Sequence, residues 1–248
     1  NYNYSDKSLR TSLEVTETDK LARFGYESTK TGFSIGTGFE QYTDFYVSPE
    51  LSIFSEKLKT SDSASDSYKK QAGNYFDTTL KYRISYDKRN QSWQPSDGFI
   101  SRWSQSIPLI SDNASLSNSY TFTTYHEILP ETIGKLGFFI ETINSLTDDD
   151  VRVSKRLYLP AKRLRGFESG RVGPVENDDF VGGNYASSIN ASATLPNFFR
   201  ELENTDFSFF IDAGNVWGVD YSDTIDDSNK IRSSTGLAVD WFTPIGPL

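Results

Sequence analysis

The residues best suited to specific chemistry lie in one run, Arg163-Leu164-Arg165-Gly166-Phe167-Glu168-Ser169-Gly170-Arg171-Val172-Gly173-Pro174. An arginine offers a planar fork of donors that matches a carboxylate, and glycines let a backbone fold tightly. The run sits inside a segment from about Ser145 to Asp179 that shows no strand pattern, while the chain on either side alternates. A long unpatterned segment between strands is usually functional or disordered. The chemistry expected here is recognition rather than bond making. The loop tucks back into a barrel, and Arg165 meets a carboxylate inside it. Catalysis and metal binding have little support. His126 is the sole histidine and cysteine is absent, so a zinc site lacks ligands. No nucleophile-elbow motif accompanies a serine. Asp148-Asp149-Asp150 reads as a solvated loop rather than an ion site. No enzyme activity, metal or cofactor is expected.

The elements that must hold this loop are strands. Period-two alternation dominates, and helical periodicity is nearly absent. About ten strands are expected: Leu9 to Glu17, Ser28 to Glu40, Tyr46 to Glu56, Phe76 to Asp87, Phe99 to Ile107, Ser117 to Ile128, Gly134 to Asn144, Phe180 to Leu195, Thr205 to Trp217 and Arg232 to Thr243. In the fourth, Phe76, Thr78, Leu80, Tyr82, Ile84 and Tyr86 oppose Asp77, Thr79, Lys81, Arg83, Ser85 and Asp87. The seventh sets Leu136, Phe138 and Ile140 against Glu141, and the ninth sets Phe207, Phe209, Ile211 and Ala213 against Asp212. The tenth sets Leu237, Val239 and Trp241 against Gly236, Ala238 and Asp240. Lys57 to Gly73, rich in serine and lysine, reads as a solvated loop. Connections alternate between long and short, the layout of an outer-membrane barrel, with apolar side chains outward and polar ones toward a wet lumen. Trp217, Trp241, Tyr185 and Tyr75 are expected at strand ends or in an interfacial aromatic belt.

Composition agrees with this class. The 248 residues are 36% hydrophobic yet 15% aromatic, led by 18 phenylalanines and 14 tyrosines. No run is long enough for a transmembrane helix, but barrel strands hide their apolar residues at every second position. The net charge of -9 argues against nucleic acid as a partner. Methionine is absent and Asn1 opens no signal-peptide pattern, so the chain reads as an internal piece of a longer protein.

Several segments carry a family resemblance. Leu164-Arg165-Gly166-Phe167 with Val172-Gly173-Pro174 resembles the Arg-Gly-aromatic loop of the outer-membrane protein insertase superfamily. Gly182-Gly183-Asn184 resembles the motif that opens the family's next strand, and Phe210-Ile211-Asp212-Ala213-Gly214-Asn215-Val216-Trp217 its aspartate-x-glycine strand. Gly236 to Leu248 is similar to the stretch before its closing strands. Tyr86-Asp87-Lys88-Arg89 and Pro95-Ser96-Asp97-Gly98-Phe99 resemble its mid-barrel turn, and Asn3 to Ser8 gives a weaker match. The matches keep the family's order.

The resemblance implies an all-β, transmembrane, antiparallel barrel of roughly sixteen strands. Residues 1–248 would be the C-terminal part of its barrel domain, with the first and last strands and the periplasmic domains outside them. It implies that Arg165 pairs with Asp212, and that a glutamate on the preceding strand often joins. Ser192 stands at that glutamate's expected position, which leaves inward-facing Glu141 and Asp240 as candidate substitutes. The implied function is insertion of other barrels into the bacterial outer membrane. The implied partners are outer-membrane lipid and lipopolysaccharide, nascent barrel clients and accessory assembly lipoproteins. The rival class is a translocation pore for one dedicated partner.

Overall fold

The computed structural model describes residues 8–19, 25–62, 64–176, 179–196, 205–220, 225, 230–243 and 246–247. The weaker match at Asn3 to Ser8 therefore falls almost wholly outside the described residues, as do Pro244, Ile245 and Leu248. The strands are β1 (Ser8–Asp19), β2 (Tyr26–Tyr42), β3 (Phe45–Thr60), β4 (Gly73–Asp87), β5 (Gly98–Ser111), β6 (Ser115–Leu129), β7 (Thr132–Ser145), β8 (Val175–Glu176), β9 (Asp179–Phe180), β10 (Tyr185–Thr194), β11 (Thr205–Trp217), β12 (Arg232–Thr243) and β13 (Gly246–Pro247). Eleven of them form one antiparallel meander in the order β1-β2-β3-β4-β5-β6-β7-β10-β11-β12-β13, while β8 and β9 pair only with each other. The sheet is the wall of a barrel, and among the described residues β1 and β13 are not paired to each other.

The alternation decides which face is which. Phe209, Ile211, Leu237, Val239, Leu136 and Ile189 are exposed on one face. Ser208, Phe210 and Asp212, one step along the same strand, are buried on the other. Lipid is the medium that suits an exposed row of this kind, because barrels present an apolar band outward. Tyr185 stacks on Trp217 with ring centroids 5.7 Å apart near one rim. Trp241 lies exposed toward the opposite end of the neighbouring strand, so both rims carry aromatics.

Two stretches differ from the sequence reading. Residues 57–73 are not a solvated loop. The strand β3 continues to Thr60, and a helical turn follows, α1 (Asp66–Lys69). Tyr68 of that turn is fully buried, edge-on to Tyr26 at 5.8 Å, and its hydroxyl donates to the Phe180 carbonyl at 3.2 Å. A serine-rich composition concealed this contact because one tyrosine carries it. The strand expected from Phe180 begins instead at Tyr185. Gly182 has φ +68, outside the extended region, and breaks the run before it.

The turn between β4 and β5 holds the family-like residues Asp87, Pro95 and Gly98. The Arg89 fork donates to Asp87 at 2.8 and 2.6 Å, and Gly98 closes the turn with φ +92. Beside Pro95, Gln94 reaches the foot of β11 and donates to Asp206 at 3.2 Å. His126, at the end of β6, is exposed and lies 3.2 Å from Asp97.

Ile211→Arg places a charge on the outward face near the middle of β11. It is expected to lower folding stability in vesicles by about 2–4 kcal/mol, read by urea titration of the full-length protein. A change below about 0.5 kcal/mol, typical of a water-facing site, would place this face away from lipid.

Candidate functional site: a loop docked in the lumen

The segment between β7 and β10 packs against the inward face of the sheet. It contains two short 3-10 turns, Val153–Lys155 and Ala161–Arg163, and little other regular structure. Its apolar residues explain why it stays inside. Val151, Leu157, Leu159, Leu164 and Val172 are buried in one cluster with Phe139 and Ile143 of β7, Ala186 of β10 and Val216 of β11, and Phe167 packs on its edge. Every backbone polar group taken inward needs a partner. The loop meets this need in part with a bridge between Leu157 and Gly183, whose N–H groups donate to each other's carbonyls at 2.9 and 3.1 Å.

Arg165 lies at the centre. Its Nε and Nη2 donate to the two oxygens of Asp212 at 2.8 Å each, and its backbone N–H adds a third bond at 3.1 Å. The Asp212 side chain has no solvent exposure, whereas Arg165 retains 31%. The guanidinium also lies 3.8 Å from the centre of the Phe210 ring. A bidentate fork over an aromatic face fixes both position and orientation, which a lysine cannot do. Gly166, with φ +85, turns the chain immediately after this contact.

The aspartate-x-glycine spacing now has a physical reason. Period two puts Asp212 and Gly214 on the same face of β11. The carboxylate takes Arg165, and the glycine leaves room for Leu159, whose Cδ1 would lie 3.0 Å from an added Cβ. Gly236 serves Phe210 in the same way, since an added Cβ would lie 3.0 Å from that ring.

Neither Glu141 nor Asp240 replaces the missing glutamate; among the described residues, the hydrogen bonds from the Arg165 fork go to Asp212. Glu141 faces inward and acts electrostatically on Arg163. Asp240 lines a cavity of about 410 Å3 that Arg165 shares with Lys135, Lys162, Arg163 and Ser192. The residue opposite Asp212 in the register is Asn190, not Ser192. Its amide donates to Asp212 and to the Arg163 carbonyl, both at 2.8 Å. An asparagine on an inward face is common, and nothing in its sequence surroundings marked it as the third member.

Of the strand-opening residues, Gly182 makes room for Tyr158, whose ring an added Cβ would approach to 2.8 Å. Gly183 forms the bridge to Leu157, and Asn184 bonds Asp220. Burial raises the Tyr158 hydroxyl to about 12, and its hydroxyl donates to the Phe180 carbonyl at 3.3 Å.

A second polar cluster was not anticipated from the sequence. Arg152, 1% exposed, contacts Glu56 at 2.5 Å and Asp77 at 3.0 Å. Lys155 reaches Asp77 at 3.0 Å, and burial lowers the pKa of its ammonium, with Arg152 nearby adding to the effect. Tyr75, expected at a strand end or in the aromatic belt, lies near the start of β4, beneath the Arg152 guanidinium at 4.0 Å. Among the described residues, no group of three or more histidine or acidic side chains is arranged to hold a metal ion.

A family model described as the Omp85 superfamily domain matches residues 2–248. The chain belongs to the Omp85 superfamily. Among its relatives, it is 25% identical over 191 residues to the outer membrane protein assembly factor BamA of Neorickettsia risticii, covering 75% of this chain and 26% of that protein. It is 24% identical over 170 residues to the bovine (Bos taurus) sorting and assembly machinery component 50 homolog, covering 64% of this chain and 36% of that protein. The chain thus spans about a quarter of the first relative and just over a third of the second. The fold is similar to a crystal structure of BamA from Haemophilus ducreyi lacking POTRA domains 1–3, with a TM-score of 0.85 at 22% identity. That match covers 97% of this chain and 54% of that one. The wall described above is therefore an Omp85 barrel wall.

Arg165→Met leaves the Asp212 carboxylate buried without its counter-charge. It is expected to weaken loop docking by about 3–5 kcal/mol, read as faster proteolysis within the loop of the full-length protein. Arg165→Lys should recover only part of the protection, because an ammonium cannot span both oxygens. Native resistance in both variants would contradict the role of this contact.

Proposed function

We propose that this chain is wall and internal brace of a bacterial outer-membrane barrel that inserts and folds other barrel proteins. The observation that carries this reading is a loop drawn back into the lumen and fixed by an arginine fork on the buried Asp212. The docked loop occupies part of a lumen that an open porin channel leaves to water. The names of the two relatives, an outer membrane protein assembly factor and a sorting and assembly machinery component, support assembly over passive transport.

The physical logic needs no bond making. A client strand is templated where a sheet edge exposes unpaired backbone groups. Such an edge opens against a stiff remainder, and the docked loop supplies stiffness to the half that contains β7, β10 and β11. The clients are nascent barrels in contact with lipid and lipopolysaccharide, and accessory lipoproteins assist. Nucleic acid has no place in this scheme, consistent with the charge of -9.

Depletion of the full-length protein in its own cell tests the reading. A general fall in unrelated outer-membrane barrels is expected, with unfolded clients accumulating in the periplasm. Loss of a single secreted protein at normal barrel levels would overturn it in favour of a dedicated translocation pore.

A further inference from the structure

The lumen loop is held at two places on different parts of the wall. One is Arg165 on β11. The other is Arg152, which precedes it in the same loop and binds β3 and β4 through Glu56 and Asp77. This second anchorage is built from more than an ion pair. Ser28 of β2 donates to Glu56, and Ser111 of β5 donates to Asp77, both at 2.5 Å. Gln71, beyond β3, accepts from the backbone N–H of Val153 at 2.6 Å. Val153 itself is buried with Tyr26, Leu58, Tyr68 and Val181. Four neighbouring strands, β2 to β5, thus converge on one turn of the loop.

Charge and topology give the cluster its meaning. Arg152 and Lys155 face Glu56 and Asp77 inside the lumen, and the partly exposed Lys30 approaches Glu56 at 3.9 Å. Along the sheet, β4 and β11 are separated by β5, β6, β7 and β10. At about 4.8 Å per strand step, the path along the wall is roughly 24 Å. The loop crosses the lumen between the same two walls as a chord.

We infer that Arg152 is a positioning residue: with Arg165 it makes the segment between them a tie across the lumen that fixes the spacing of β4 and β11. The inference concerns the geometry of the barrel and does not depend on the assembly reading. Each anchorage restrains one end of the tie, so release of either end frees the wall. The Arg165 contact alone orients the loop tip and leaves the β3–β4 side held without an ion pair, by the packing of Val153 and its bond to Gln71.

The test uses the full-length protein in lipid vesicles. The 248-residue stretch has no cysteine, so labelling sites can be introduced by substitution. Spin labels at Phe76→Cys on β4 and Ile211→Cys on β11, both outward-facing, report the tied distance. Labels at Phe33→Cys and Phe76→Cys report a distance within one side of the wall. Arg152→Met alone leaves two buried carboxylates short of a partner and can fail to fold. The informative variant is therefore Arg152→Met with Glu56→Gln, which retains the Lys155–Asp77 pair and strands no buried charge, since Lys30, 3.9 Å from Glu56, keeps 40% of its side chain exposed. In this variant, the β4–β11 distance distribution is expected to broaden at least about twofold and shift outward, while the β2–β4 distribution keeps its width. An unchanged β4–β11 distribution would overturn the inference. Equal broadening of both pairs would also overturn it, because that pattern reports general loosening. Normal or reduced levels of client barrels bear on the proposed function and not on this distance.

Discussion

A carboxylate with no solvent exposure inside a barrel wall must have a counter-charge, and the rest of the site follows from that constraint. Asp212 lies on a strand whose next residues outward face lipid, so neither side offers it bulk water. An isolated buried charge is costly, whereas a paired and fully hydrogen-bonded one persists. Three donors from Arg165 and one from Asn190 satisfy it. The arginine can reach that depth only if the chain between β7 and β10 turns inward, which explains the loop's glycines and its row of buried leucines and valines. Such a pair adds little net stability over an apolar substitute of the same shape. Its effect is to make one loop position far better than its alternatives.

The same constraint recurs toward the other side of the lumen, where Glu56 and Asp77 take Arg152 and Lys155. The inner surface is thus organised by ion pairs and the outer surface by apolar area. The two faces of one strand obey different rules because they meet different media. Period two lets a single segment serve both, as Ile211 and Asp212 do in adjacent positions.

That division also decides what was legible in the sequence. Alternation reveals a wall with lipid on one side, so the ten long strands and the outward row of Phe207, Phe209 and Ile211 could be read directly. The glycines and arginines of the unpatterned segment marked it as a loop with a purpose. Contacts between distant parts of the chain left no local trace. Arg152 and Glu56 are 96 residues apart, and neither lies in a motif. Asn190 looked like any lumen-facing amide, so the glutamate's position was placed at Ser192 and its substitutes were sought at Glu141 and Asp240. Tyr68 and Tyr75 were read from composition and strand position, although both are used as inward packing surfaces. The strand before β11 was read too long because alternation alone does not reveal the positive φ of Gly182.

Family membership and geometry meet at the Arg165–Asp212 contact, and the proposed assembly role rests on this contact rather than on either residue alone. The most direct measurement exchanges the charges in cells whose sole copy of the full-length protein carries the changes: Arg165→Asp, Asp212→Arg, and the two together. The account predicts that each single variant sharply lowers the level of unrelated outer-membrane barrels, by burying like charges against each other, and that the double variant restores a substantial part of it. Native levels in both single variants would contradict the claim, as would a double variant no better than the worse single one.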